Sequence, residues 1–311
     1  MTENTIVNFT DTRTGWQRTF YAFLAEKEQR SGSRRTVEGY SRMLQDFFGR
    51  SGKQPDNVTS QDIFVYAHSP GLSGKQPSAI TIGARIACIS SFFRFLIRMD
   101  IVQSNPCDKL QRPQASPSTP RGLSGDQVHL LLAVVPDSPL GLRDRAIILI
   151  LVLTGRRRAE VIGMKVNNLI IDGVIAYYTY RGKGGKQGHR ELPQPALNAI
   201  RASLAAFGED LSTMPQDESL WPSLSHHSKG ITSGTFYGNP QRYFRKAGIT
   251  PSGVHIFRLT AAKLRRDAGE TVEDVSRFLD HSSLAVTTVY LRRLGGEQDK
   301  SWAKVAAAIG V

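Results

Sequence analysis

Between residues 105 and 124 the sequence sets Asn105-Pro106, Arg112-Pro113, Ser116-Pro117 and Thr119-Pro120 in one stretch without hydrophobic periodicity. Proline restricts the backbone and removes an N–H donor, so neither a helix interior nor a central strand runs through such a segment. The stretch reads as an extended linker that divides the chain into two folding units. The expected division is a domain over 1–105, a Pro-rich linker over 106–122 and a second domain over 123–311. Length agrees, since 311 residues with 40% hydrophobic content bury one or two cores and 22% charged residues argue against a disordered chain.

Before the linker the pattern is helical. Trp16, Phe20, Phe23 and Leu24 recur at helix spacing, Ser33-Arg34-Arg35-Thr36 offers a capped start ahead of Val37, Tyr40 and Leu44, and Ile82, Ile86, Ile89, Phe93 and Leu96 form a further apolar stripe. After the linker, Leu123-Ser124-Gly125-Asp126-Gln127-Val128 opens a helix, and the almost wholly apolar run 146–153 predicts a buried one. Strand pattern follows. Asp172-Gly173 is a turn signal, 174–180 is rich in β-branched and aromatic residues, and 182–188 is a second, glycine-rich turn before 189–192. From Pro195 onward the chain reads as mainly helical, with 217–234 as loop. The fold class expected is therefore mainly α with a small antiparallel β-sheet.

A net charge of +13 and a pI near 10.0 recruit a polyanion, and nucleic acid is the first candidate. The excess is shared, +4 through Asn105 and +9 beyond it, so both halves are expected to touch the same partner. Only Cys88 and Cys107 occur, which excludes a disulfide framework and a CxxC metal pair. Residues 1–13 are polar, without the apolar stretch of a signal peptide, and no run of consecutive apolar residues is long enough to cross a bilayer. A cytoplasmic protein with no membrane partner is expected.

Three separate stretches of polar, mostly basic residues precede a tyrosine near the C-terminus. They are Thr154-Gly155-Arg156-Arg157-Arg158-Ala159-Glu160, then Gly182-Lys183-Gly184-Gly185-Lys186, then His255-Ile256-Phe257-Arg258; Leu279-Asp280-His281-Ser282-Ser283 then runs on to Val289-Tyr290. Transfer of a phosphodiester to a side-chain hydroxyl needs a nucleophile, cationic donors for the nonbridging oxygens, a base, and an acid for the leaving 5′ oxygen. Tyr290 suits the first need, because a phenolate leaves more easily than an alkoxide and the phosphotyrosine bond retains the energy for re-ligation. Arg157 and Arg258 suit the second, guanidinium being a permanently charged fork matched to phosphate oxygens. His255 and Arg258 lie one helical turn apart, on one face. The glycine-rich turn around Lys183 is neither a P-loop, since Lys186 is followed by Gln187, nor a dinucleotide fingerprint, since Gln187 stands where its last glycine belongs. A plain basic turn, with Lys186 as an alternative proton donor, stays open.

In order and spacing these motifs closely resemble the tyrosine recombinase (phage integrase) family, the Xer-like enzymes above all, over nearly the whole chain from about Trp16. The resemblance implies a helical core-binding domain and a mixed α/β catalytic domain that form a C-shaped clamp on duplex DNA. It implies a catalytic set of Arg157, Lys183, His255, Arg258, His281 and Tyr290, with Lys183 as general acid on a β-hairpin and His281 hydrogen-bonding a phosphate oxygen. Helix starts at 33–36 and 78–85 would approach the duplex, which nominates Arg34, Arg35 and Arg85 as DNA contacts. No metal, ATP or other cofactor is implied. The implied partners are double-stranded DNA with paired half-sites, further copies of the chain in a tetrameric synapse, and in some systems a second recombinase. Three positions depart from the family pattern: Arg156 stands for a leucine, Leu259 for a histidine and Asp280 for a glycine. Two other readings stay open, relaxation of supercoils as by a type IB topoisomerase, and a non-catalytic DNA-binding protein in which Asp280 marks a decayed site. At the C-terminus Trp302, Val305, Ala306 and Ile309 recur at i, i+3, i+4 and i+7, an amphipathic helix that would dock on its own domain or on a neighbouring protomer.

Overall fold

The computed structural model describes residues 15–71, 74–113, 122–181, 187–224 and 230–280. Lys183, His281, Tyr290 and the expected helix over 301–311 lie outside the described residues. The chain separates into two compact units, Met1–Pro117 and Ser118–Val311.

Among the described residues the first unit holds the α-helices α1 (Gly15–Ser31), α2 (Arg34–Ser51), α3 (Ser60–His68) and α4 (Ala79–Arg98). Each start after α1 is set by a side-chain cap that satisfies a backbone donor left over at a helix N-terminus. Ser33 accepts from the Thr36 amide, Ser78 from the Thr81 amide, and Thr59 forms a reciprocal capping box with Asp62. α2 stops where Gly52 takes the left-handed conformation (φ 63°) and its N–H returns to the Phe48 carbonyl. The core is aromatic, with Phe23 edge-on to Phe92 at 5.2 Å between ring centroids and Phe47 edge-on to Tyr66 at 5.2 Å. By length and composition α4 is apolar enough to cross a membrane, although charged and polar residues interrupt its apolar run. Ile86, Ile89, Phe92, Phe93 and Leu96 of this helix are instead buried in the unit's own core.

Two expectations for this unit are corrected by packing. The linker begins later than composition implies: Pro106–Lys109 form a 3₁₀ turn whose Cys107 is buried in the helical core, and Asn105 Nδ2 donates to Ser90 Oγ at 3.0 Å. Arg85, nominated as a DNA contact, is buried. Its Nη1 donates to the carbonyls of Tyr66, Ala67 and Ser69 at 2.9, 3.1 and 2.6 Å, closing the C-terminal end of α3, so it offers no exposed face to a duplex. Arg34 and Arg35 are exposed, and Arg34 pairs with Glu38 at 3.2 Å.

The second unit contains α5 (Gly125–Ala133), α6 (Pro139–Thr154), α7 (Arg158–Ile162), a three-stranded antiparallel sheet, α8 (Gln194–Ala206), α9 (Ser233–Lys246), α10 (Ile256–Asp267) and α11 (Val272–Phe278). The strands are β1 (Leu169–Asp172), β2 (Ile175–Arg181) and β3 (Gln187–Leu192), in that order. The expected turn falls one residue later than the Asp172-Gly173 signal: Asp172 ends β1 and pairs with Ile175, so the two-residue turn is Gly173-Val174, with Gly173 at φ 59°. α6 is largely buried from Gly141 onward, its predicted apolar run included, and packs on α8 and α10. The loop after α8 is anchored by Trp221, which is fully buried and donates from Nε1 to the Val161 carbonyl at 2.6 Å. Leu123 belongs to the same core, its amide donating to Thr260 Oγ1 at 2.9 Å.

Hydrogen bonds from a charged donor contribute about 1.5–3 kcal/mol each, net. Arg85→Ala should therefore lower the stability of the protein by about 2 kcal/mol or more in urea unfolding. The salt dependence of duplex binding should stay unchanged; a slope reduced by about one unit would instead identify Arg85 as a phosphate contact.

Candidate active site

α6 ends at Gly155, in the left-handed conformation (φ 61°), and the chain turns directly into the arginine run. Only glycine fits there. A Cβ on residue 155 would lie 2.6 Å from Leu279 Cδ2 and 2.8 Å from Phe278 Cε1, so the bare backbone is what lets the end of α11 pack against this turn.

The run of like residues has three different surroundings. Arg157 is the N-cap of α7: its amide donates to Glu160 Oε2 at 2.9 Å and its Nη1 to Glu160 Oε1 at 2.8 Å. Glu160 is nearly buried while the Arg157 side chain keeps 37% of its surface, so the carboxylate holds a guanidinium that still faces solvent. Arg158 lies over the Tyr237 ring at 5.5 Å. Arg156 is 1% exposed, with Nε on the Thr154 carbonyl at 3.2 Å.

His255 immediately precedes α10 and Arg258 is that helix's third residue, as the one-turn spacing requires. The imidazole pKa is depressed, first by desolvation and then by the positive charges of Arg258 and Arg157, so the three candidates share one electrostatic environment. Arg258 differs from a surface reading of the helix. It is 3% exposed, with Nη1 on the Gly155 carbonyl at 2.6 Å and Nη2 on the Leu279 carbonyl.

That last contact is one of three. Arg190 Nη2 donates to the Arg277 carbonyl at 2.8 Å, Arg156 Nη2 to the Phe278 carbonyl and Arg258 Nη2 to the Leu279 carbonyl, so successive carbonyls at the end of α11 each receive a guanidinium. The next residue, Asp280, is left-handed (φ 51°). Its carboxylate accepts from Arg156 Nη1, from the Tyr180 hydroxyl and, at 2.8 Å, from Arg190 Nη2. Desolvation pushes the Asp280 pKa up, but the hydrogen bonds from Tyr180, Arg156 and Arg190 together with the Arg156 charge outweigh it and hold the group at about 2. Sequence reasoning passed over Arg156, Tyr180 and Arg190. The signal available was that two departures from the family pattern, one basic and one acidic, occur together.

Lys183 sits in the sequence between β2 and β3, whose last described pair is Arg181 with Gln187. Among the described tyrosines, Tyr243 is largely buried and donates its hydroxyl to Asp144 Oδ2 at 2.7 Å; desolvation first, then the Asp144 charge and this hydrogen bond, raise its pKa and make it a poor nucleophile. Cys88 and Cys107 are buried thiols, each pushed up to about 12 by desolvation. Among the described residues no three His, Cys, Asp or Glu side chains cluster closely enough to hold a metal ion.

In a histidine NMR titration of the DNA-free protein, His255 should titrate below the usual value of about 6.5. Arg157→Met should move the midpoint upward, because a repelling positive charge is removed; a midpoint indifferent to Arg157 would separate the two groups. The depressed value means that protonation favours the unfolded chain, so His255 subtracts stability as pH falls from its unfolded pKa through its lower folded one.

Residues 121–295 match the phage integrase family. The chain is 30% identical over 281 residues to the tyrosine recombinase XerC of Alcanivorax borkumensis, covering 88% of this chain and 87% of that protein. It is 27% identical over 265 residues to the tyrosine recombinase XerD of Listeria innocua, covering 83% and 88%. Among solved structures its fold is similar to that of a lambda integrase tetramer bound to a Holliday junction, with a TM-score of 0.66, 18% identity and coverage of 93% of this chain and 81% of that one. The chain belongs to the phage integrase family of tyrosine recombinases.

Proposed function

We propose that this protein is a site-specific DNA recombinase that cuts and reseals one strand at a time through a 3′-phosphotyrosyl intermediate. The Tyr290 oxygen attacks phosphorus, the bond from phosphorus to the 5′ oxygen breaks, and Lys183 protonates the leaving oxygen. Arg157, whose side chain keeps 37% of its surface, faces the nonbridging oxygens; Arg258, enclosed with its Nη atoms on the Gly155 and Leu279 carbonyls in the DNA-free chain, reaches them only when DNA draws that guanidinium out, and His281 adds a hydrogen bond to one of them. A neutral His255 is equipped to accept the proton released by the tyrosine. The observation that carries this reading is the shared surroundings of Arg157, His255 and Arg258, inside the span 121–295 that matches the family. Compensation of the Asp280 charge by Arg156 and Arg190 supports an active centre over a decayed one.

Strand exchange between paired half-sites then proceeds through a Holliday junction in a tetramer of this chain, or of this chain with a second recombinase, acting on DNA in the cytoplasm. Basic charge on both halves supports a protein that contacts the duplex with each, Arg34 and Arg35 being exposed at a helix start suited to phosphate contact. Tetramer formation on DNA separates recombination from simple relaxation of supercoils.

Tyr290→Phe should abolish covalent attachment to a labelled suicide substrate, with EDTA present throughout, while duplex affinity stays nearly unchanged. An adduct of undiminished yield would move the nucleophile elsewhere, Tyr237 being the exposed alternative. Lys183→Ala should slow cleavage by about 10²-fold or more, and a 5′-bridging phosphorothiolate, whose thiolate leaves without a proton, should restore most of the rate. Without that rescue Lys183 is not the acid.

A further inference from the structure

We propose that Asp280 is a positioning residue that docks strands β2 and β3, which flank Lys183 in sequence, onto the end of α11, which precedes His281 in sequence. The inference rests on the recombinase reading above for its kinetic consequences, but not for the docking itself.

Asp280 is in a left-handed backbone conformation (φ 51°) that glycine adopts freely and a residue with a side chain adopts at a cost. Its carboxylate compensates through donors from three elements: Arg156 from the connection between α6 and α7, Tyr180 from β2 and Arg190 from β3. The donors also hold one another. The Arg156 guanidinium lies over the Tyr180 ring at 4.3 Å, and Arg190 Nε donates to the Tyr180 hydroxyl at 3.2 Å. Tyr180 reaches Asp280 because its cross-strand partner is Gly188; a Cβ there would lie 2.1 Å from Tyr180 Cζ.

Placement gives this network its consequence. Tyr180 is three residues before Lys183 on the strand that leads into the turn, and Arg190 is on the strand that leaves it. Asp280 immediately precedes His281. One carboxylate therefore joins two parts of the candidate site that are about a hundred residues apart in sequence, and Arg190 repeats the connection through the Arg277 carbonyl. No other acidic side chain is hydrogen-bonded to Tyr180 or Arg190 among the described residues.

The test compares wild type, Asp280→Asn, Gly188→Ala and Lys183→Ala on two suicide substrates of one sequence, with an ordinary phosphodiester or a 5′-bridging phosphorothiolate at the cleavage site. Asp280→Asn keeps the shape and the tolerance of a left-handed backbone while removing the charge. Gly188→Ala displaces Tyr180 without touching Asp280 or Arg156, and so keeps the question open to measurement if the first variant folds poorly. Both should cleave the ordinary substrate about 10- to 100-fold more slowly, the scale of a catalytic group misplaced by about 1 Å, and recover most of the loss on the phosphorothiolate. Asp280→Asn combined with Lys183→Ala should be no slower than Lys183→Ala alone. Equal loss on both substrates, or no loss, overturns the inference. In the DNA-free protein, amide hydrogen exchange over Gln187–Leu192 should rise in Asp280→Asn and not in Glu273→Gln, an exposed change on α11; unchanged exchange in Asp280→Asn overturns the docking. Failure of wild type to form an adduct on either substrate would count against the recombinase reading, while the exchange experiment would still decide the docking.

Discussion

The last turn of α11 is the constraint around which the candidate site is arranged. A helix end leaves carbonyls without intrahelical partners and concentrates negative potential there. Here Arg190, Arg156 and Arg258 supply the missing donors to residues 277, 278 and 279. The donors come from β3, from the connection between α6 and α7, and from α10. The point at which the chain enters the segment that includes His281 and Tyr290 is thus defined by residues from much of the second unit. Gly155 permits the approach, since any side chain at that position would meet Leu279 and Phe278.

The same cluster shows how a protein separates structural from chemical cations of one residue type. Arg156 and Arg157 are neighbours in sequence, yet one is buried against Asp280 and two carbonyls and the other is held half-exposed by Glu160. The paired carboxylate decides the outcome in each case. With Asp280 held ionised by three donors, its charge is balanced locally by Arg156 and Arg190. His255, desolvated by burial and with Arg258 and Arg157 acting on it, stays neutral to lower pH than an isolated imidazole and remains a proton acceptor.

Much of the fold was legible because its determinants are local. Ser33, Ser78 and Ser124 cap helices where the sequence places them, the apolar run over 146–153 is buried, and the hairpin signalled by Asp172-Gly173 forms one residue on, at Gly173-Val174. Determinants that lie far apart in sequence were not legible. The cap of α3 by Arg85 depends on a helix that follows it, and an arginine at a helix start looks the same whether it faces solvent or a neighbouring helix end. Pro106–Lys109 reads as linker by composition, and only the burial of Cys107 assigns it to the helical core.

The sequence by itself determined the division into two units, the helical or strand character of most segments, and the family, because periodicity, capping and motif spacing are written along the chain. It also named Arg157, His255 and Arg258 as candidates. Only the tertiary structure decided which charged groups face outward and which are enclosed. Arg156 and Asp280 stand 124 residues apart, and neither has any reason to be buried or compensated until the fold brings them together. Burial and charge compensation are properties of neighbours in space, and desolvation makes an ion's role depend on its partner more than on its type.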